Sequence, residues 1–494
     1  MVGNNLQVLD PVFSTSYASR VLGYLAYDTL IAKDSHGNYK PQMLESWVVS
    51  PDQTTYTFKL RPGQTWHDGS PVRARDCVAS LQRWEERDGL GGRLKAVSAS
   101  LQAEDDLTFS LKLAKPFGLV IDALAKESSI VPFMMPERLA NTPATQALTE
   151  VDGSGPFIFK ADEFVQGSQA VFVKNPNYKP RPEPADGLAG GKVVRVDRVV
   201  LRSLNDAATQ VSALTNGEIE FLQYVPFDLM PVLQNNSSIV IANPGVNASN
   251  IGVLRFNHLQ PPFDNEKVRK AFETAINRAD ALAAIGGTGQ FVDAKCVSLF
   301  GCGGPYAATK GGEDVVTYNL NKAKSLLKDS GYRGEKILLL VVNGPVETLA
   351  APAVRNSLAQ AGFNVDTQIV ELETLFQRRT SKAPLTEGGW SAFITYLGAI
   401  DVGSPVTHLY INNNCNPNYP GWSCDEEIKR LIDAFAAEPD FAKRKALASE
   451  VNVHAHISLP AALWGQFTTP MAFSNKLKGV IIDTPTPVFW NITE

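Results

Sequence analysis

The chain has 494 residues, 44% of them hydrophobic and 20% charged, with a formal net charge of −5. That length supports two or three domains with a sizeable core, and the composition is that of an ordinary globular protein. The mild acidity and the lack of a basic patch weigh against a nucleic-acid partner, and no apolar run approaches the roughly 20 residues needed to span a bilayer.

The polar start at Met1-Val2-Gly3 reads as that of a mature chain without a signal peptide. A turn at Ser50-Pro51-Asp52 leads into the alternating Tyr56, Phe58 and Leu60, which is a strand pattern. Pro62-Gly63 breaks it, Trp66 follows, and a second turn falls at Asp68-Gly69. After Pro71, Val78 and Leu81 stand at helical spacing with Asp76 near the start. Short strands and hairpins of this kind dominate the first 170 residues. The Pro/Gly-rich stretch 179–191 reads as a surface loop, and Pro261-Pro262 and 301–312 are further breaks.

From Tyr318 to Val370 the pattern changes. Leu320, Ala323, Leu326 and Leu327 make one apolar helical face, closed by Gly331. Residues 336–342 (KILLLVV) form a continuous apolar strand. Val354, Leu358 and Ala361 lie on the next helix, stopped by Gly362, and 365–370 is another strand. Strand, helix, strand in this order implies a parallel pair joined by a crossover, so the chain mixes a β-rich region with an α/β region.

Several catalytic signals are missing. Gly187 to Lys192 resembles a phosphate loop, but its glycine spacing is wrong and Val193 stands where a hydroxyl residue is needed. His454 and His456 form an HxH pair at a helix end rather than a recognisable metal set. There is no HExxH, no GxSxG and no zinc ligand pattern, so neither a cofactor nor a resident metal is expected. The five cysteines include two close pairs, neither with CxxC spacing, which argues against zinc or thioredoxin chemistry. Cys77, beside Val78 on the predicted helix, reads as a core residue.

The motifs also carry a resemblance. The stretch Ser46 to Leu81, GSGPFIF at Gly153 to Phe159, KNPNY at Lys174 to Tyr178, ALTNGEIE at Ala213 to Glu220, the long run Leu254 to Arg278, and YNLNKAKSLLKDSGY at Tyr318 to Tyr332 follow one another in a family's order. They resemble the bacterial extracellular solute-binding proteins of family 5, the peptide, opine and nickel receptors of ABC importers. The resemblance implies an α/β, two-lobed periplasmic binding protein fold (type II, cluster C) in which one lobe carries an extra β-rich subdomain. Residues 1–40, 170–260 and 468–494 would form the first lobe, 41–169 the β-rich insert and 261–467 the second lobe. Hinge strands would lie near Phe256 to Pro262 and Gln466 to Pro470.

It further implies a monomeric periplasmic receptor, not an enzyme. Such a receptor holds a peptide or other small-molecule ligand between its lobes and passes it to ABC transporter permease subunits. An opine, sugar derivative, metal chelate or haem is the alternative cargo, and a hydrolase on the same fold or a chemotaxis receptor the alternative roles. Loop ends in the family are often disulfide-linked, which suggests Cys415 to Cys424 and Cys296 to Cys302; five reduced thiols remain the other reading.

Dipeptide-binding relatives hold the peptide ammonium with an Asp four residues before the proline of a DP step. Asp401, in Asp401-Val402-Gly403-Ser404-Pro405, matches it, although Ser404 replaces the second acid. The plainer reading of Asp401 is a cap on the next turn. The relatives' carboxylate-binding Arg has no counterpart in Asn343-Gly344-Pro345-Val346-Glu347, which puts a free C-terminal carboxylate in doubt. Glu347, Glu371, Glu373, Arg378 and Arg379 lie in the same region and read mostly as surface charges. Tyr17, Tyr396, Trp390 and Trp464 are candidate aromatic contacts, each equally readable as core. Gly398 would permit close backbone approach. His408, seven residues past Asp401, is the contact a nickel or haem cargo would use.

Overall fold

The computed structural model describes residues 6–204 and 206–494; the mature-start reading at Met1-Val2-Gly3 falls outside them. The chain forms two compact units, residues 1–245 with 469–494, and residues 246–468.

The first unit is built from small antiparallel sheets. The alternation at Tyr56, Phe58 and Leu60 becomes the strand Thr55–Leu60, inside a four-stranded sheet with Leu44–Val49, Thr108–Leu113 and Ser98–Ala103. Phe58 pairs with Phe109 across it, rings stacked at 5.0 Å and both fully buried. The helix Ala74–Glu85 packs against this sheet and buries Cys77 and Trp84. A second sheet joins Phe157–Phe159, Gln169–Lys174 and Arg198–Arg202. A third places the late strand Met471–Ser474 between Phe221–Leu222 and Ile239–Ala242.

The GSGPFIF turn has a steric cause. A Cβ on Gly153 would lie 2.0 Å from the carbonyl oxygen of Ala26, at the end of the helix Tyr17–Ala26, and one on Gly155 would lie 2.6 Å from the Ala26 carbonyl carbon. Lys192, at the end of the false phosphate loop, is buried. Its ammonium pairs with Asp28 at 2.8 Å and sits 4.8 Å from the Trp490 ring, so it fixes the C-terminal tail rather than a phosphate.

The second unit is an α/β domain around a six-stranded sheet. Its strand order is Val292–Asp293, Ala461–Phe467, Asn250–Phe256, Ala392–Gly398, Ile337–Val342 and Val365–Val370. The last three run parallel to one another and the third runs antiparallel to both its neighbours. The expected parallel pair is present: Ile337–Val342 crosses through the helix Glu347–Ala361 to Val365–Val370, and Gly362 stops the helix at φ 109°. The apolar face of Leu320–Asp329 buries Ala323 and Leu327.

One boundary moves. The strand Asn250–Phe256, which the family resemblance assigned to the first lobe, is central to the second unit's sheet. Its residues pair on both sides with partners in that unit, Arg255 with Phe393 and with Ala461, and so the break falls at 245/246. The strong motif around it is structural. The Arg255 guanidinium is fully buried, lies 4.7 Å from the Tyr410 ring centroid and donates to the carbonyls of Pro420 and Pro460 and to Ser423 Oγ. Arg269 donates to the carbonyls of Ser458 and Phe263, and Arg278 to those of Leu463 and Val315. Both disulfides form, Cys296–Cys302 with a Cα separation of 5.7 Å and Cys415–Cys424 with 4.1 Å.

Candidate functional site

The parallel strands of the second unit fix where its loops gather. Ile337–Val342 and Ala392–Gly398 end at the same edge of the sheet. The antiparallel strands bring two more segments there: Asn250 lies opposite Gly398 on one side and Phe467 on the other. Open α/β sheets characteristically bind ligands outside the carboxyl ends of their strands. Three of the expected residues, Tyr396, Gly398 and Asp401, come together at this edge.

Gly398 ends its strand and precedes the short helix Ala399–Val402. The Ala399 amide donates to the Ser249 carbonyl at 2.8 Å, which ties the loop to the head of the central strand. Asp401 folds back over Gly398: a Cβ there would lie 2.9 Å from Asp401 Oδ2. The absent side chain at Gly398 therefore makes room for a carboxylate. Asp401 and Gly398 are both partly exposed.

Tyr396 is partly buried, and its ring meets Phe467 edge-on at 5.5 Å. Burial, with the charge of Glu347 added, pushes its phenol up to about 12, so it stays protonated at neutral pH. Phe467 in turn stacks on Trp464 at 5.6 Å. Trp464 is fully buried, its Nε1 donates to the Thr395 carbonyl at 2.9 Å, and it fills the space over Gly252, where a Cβ would lie 2.2 Å from the indole. Its place is thus behind Phe467 and Tyr396, as support.

Two further candidates have interior roles. Trp390 is fully buried in the hydrophobic core with Phe393, Leu340 and Val402, and is in ring contact with Trp422. His408 is 1% exposed, and its Nδ1 accepts from the Tyr410 amide at 3.2 Å as the cap of a short helix. Burial, reinforced by the Arg255 charge, lowers its imidazole to about 3, so it is neutral and committed to capping. Tyr17 belongs to the first unit, where it opens the helix Tyr17–Ala26 with its ring 5.9 Å from that of Tyr224.

The surrounding charges divide in the same way. Arg378 donates to Gly388, Gly389 and Gln368, Arg379 lies over the Phe376 ring, and Glu371 accepts from Asn343 at 2.8 Å. Glu347 is different. It is only 5% exposed, and burial raises its carboxyl. Gln466 is the site-edge residue that sequence reasoning missed. Its amide accepts from the Cys302 amide at 2.7 Å and donates to the Cys302 carbonyl at 3.0 Å, holding the disulfide loop against the end of the sheet. No local signal marks it, since its partner lies 164 residues away.

Nothing in the described residues forms a persuasive metal set. Two of the three ligand groupings contain disulfide sulfurs. In the third, Asp34 is occupied by the His36 and Asn38 amides and pairs with Lys40 at 3.5 Å. The HxH pair diverges: His454 faces Asp425, whereas His456 is buried against Glu273. Among the described residues no helix is long and apolar enough to cross a membrane.

Comparison with known proteins agrees with this architecture. Residues 38–420 match the family described as bacterial extracellular solute-binding proteins, family 5 Middle. The chain belongs to this family. A relative from Sinorhizobium fredii (strain NBRC 101917 / NGR234), named a probable peptide ABC transporter periplasmic-binding protein, is 36% identical over 100% of this chain and 92% of its own length. A dipeptide-binding protein from Pseudoalteromonas sp. SM9913, solved with Met-Leu, superposes with a TM-score of 0.80 at 17% identity, covering 100% of this chain and 99% of the other. A binding protein from A. tumefacien R10, solved with agropinic acid, gives 0.76 at 22% identity, covering 100% and 97%. The fold is therefore the two-lobed α/β fold of periplasmic binding proteins, and family 5 members are solute-binding proteins of transport systems.

Proposed function

We propose that this family 5 protein is the periplasmic receptor of an ABC import system, capturing a peptide or peptide-like solute and delivering it unaltered to membrane permease subunits. The observation that carries the reading is Asp401. Its carboxylate folds over Gly398 at the carboxyl edge of the sheet, which supports a role in receiving a solute ammonium. Tyr396 beside it offers an aromatic wall with a protonated hydroxyl. The end-to-end similarity to a probable peptide-binding protein supports the same cargo class. Solute is retained by differential affinity for the liganded conformation, so no nucleophile or general base is required.

The test is a titration of ligand-free protein, unfolded and refolded to strip co-purified solute, with a panel of amine-bearing dipeptides. One-to-one binding is expected, and Asp401→Asn should weaken it by about tenfold or more, as loss of a charge-assisted contact does. Intact peptide should be recovered afterwards. Failure of every amine-bearing peptide to bind, or undiminished affinity in Asp401→Asn, would remove the reading; hydrolysis of the peptide would replace it with the enzyme alternative.

A further inference from the structure

Glu347 does not behave as a surface acid. It opens the helix Glu347–Ala361, directly after the loop that leaves the strand Ile337–Val342, and so follows the carboxyl end of the strand next to the one that leads to Asp401. It is 5% exposed. Its carboxylate turns back over Gly344, where a Cβ would lie 2.5 Å from Oε2. The residue here is glycine, and the acid occupies the space.

What this carboxylate lacks is a counter-charge. Its one hydrogen bond from another residue is the long contact from Thr395 Oγ1, at 3.4 Å. Among the described residues no lysine, arginine or histidine pairs with it, and no basic group is among the charges acting on it. Three other buried carboxylates are served differently: Glu273 has His456 and Lys270, Asp10 has Arg83, and Asp28 has Lys192. A buried acid without such a partner is costly, and the cost is removed when a cation arrives. Tyr396, whose phenol feels the Glu347 charge, adds a hydroxyl with no hydrogen-bond partner among the described residues.

We propose that Glu347 is a specificity residue that receives a second positive group of the solute, so that this receptor favours peptide-like solutes bearing a cationic side chain in addition to the ammonium. The inference rests on the reading of the Asp401 edge as the binding site. Asp401 and Glu347 then act as two separate acidic poles beyond the carboxyl ends of adjacent strands. A lysyl-type amine or a guanidinium meets the second pole, and a neutral side chain leaves it unpaired.

Calorimetric titration of the full-length, ligand-stripped protein with Ala-Lys and with Ala-Gln tests this. The wild type should bind Ala-Lys at least about tenfold more tightly, and in Glu347→Gln the ratio should fall to within about threefold of unity. Thermal melting of the variant shows whether the fold is intact. A wild-type ratio near one, a ratio that survives Glu347→Gln, or an equal loss of both ligands would overturn the proposal. Binding of both dipeptides that responds to Asp401→Asn but not to Glu347→Gln overturns the inference and leaves the receptor reading standing. If neither dipeptide binds, the peptide reading fails instead, and cadaverine becomes the probe: binding that Glu347→Gln abolishes keeps the cationic pole, and its absence ends it.

Discussion

The imidazole of His456 lies between two acceptors, the Glu273 carboxylate at 2.7 Å and the Val297 carbonyl at 2.8 Å. Both ring nitrogens are thus engaged, and the ring is fixed between the two groups. Burial alone would raise the Glu273 carboxyl, but His456 and Lys270 outweigh it and hold it down to about 2. A folded-state value below the unfolded one stabilises the native state above the unfolded carboxyl range, and that stability is lost as pH falls from about 4.5 through 2. The Glu273→Gln variant should lose about 3 kcal/mol at pH 7, and the difference from wild type should shrink steadily below pH 4.5 in urea titrations. The HxH pair was visible in the sequence, whereas its meaning depended on an acid 183 residues away. Gly398 is a similar case. Its φ of −60° suits any residue, yet an added methyl would meet the Asp401 carboxylate. Gly398→Ala should therefore leave the melting temperature almost unchanged and weaken dipeptide binding about tenfold by calorimetry.

At the level of elements, period is what made the sequence readable. The apolar run at 337–342, the glycine stop at Gly362 and the alternation at Tyr56, Phe58 and Leu60 each have one local physical reading, and each formed as expected. Arg255 had no such reading, because an arginine in a strand ordinarily points to water. Here it is buried, desolvation lowers its guanidinium to about 10, and its hydrogen bonds hold the loop closed by the Cys415–Cys424 bridge. Gly421 makes that possible. It sits at φ 99°, and a Cβ would lie 2.2 Å from Arg255 Nε. Gly421→Ala combines left-handed strain with displacement of a buried guanidinium, so a loss of about 3 kcal/mol or more is expected. Guanidinium chloride unfolding measures it. An effect below about 1 kcal/mol would mean that the loop relaxes without cost.

For the whole molecule, the two units differ in how the chain supplies them, and local sequence could not reveal where they divide. Membership of the strand Asn250–Phe256 is set by pairings with residues more than a hundred positions away, which no turn or composition shift announces. The second unit is one continuous segment, 246–468, with its own six-stranded sheet and both disulfides. The first is not: its strand Met471–Ser474 arrives from the C-terminus and forms the centre of a sheet, and Trp490, fully buried, packs on Lys192. Removing everything after Thr468 should therefore unfold the first unit while sparing the second, because a central strand cannot be lost without exposing the pairing edges of both neighbours. Residues 246–468 expressed alone in an oxidising compartment should give a cooperative thermal transition, near-ultraviolet circular dichroism and two disulfides by mass. That size lies within the range of autonomous domains. The complementary piece, 1–245, should stay aggregation-prone until a peptide covering 469–494 is added. Recovery of native-like spectra by 1–245 without that peptide would show that the late strand is dispensable, and a molten 246–468 would show that the division of the chain is not one of independent folding.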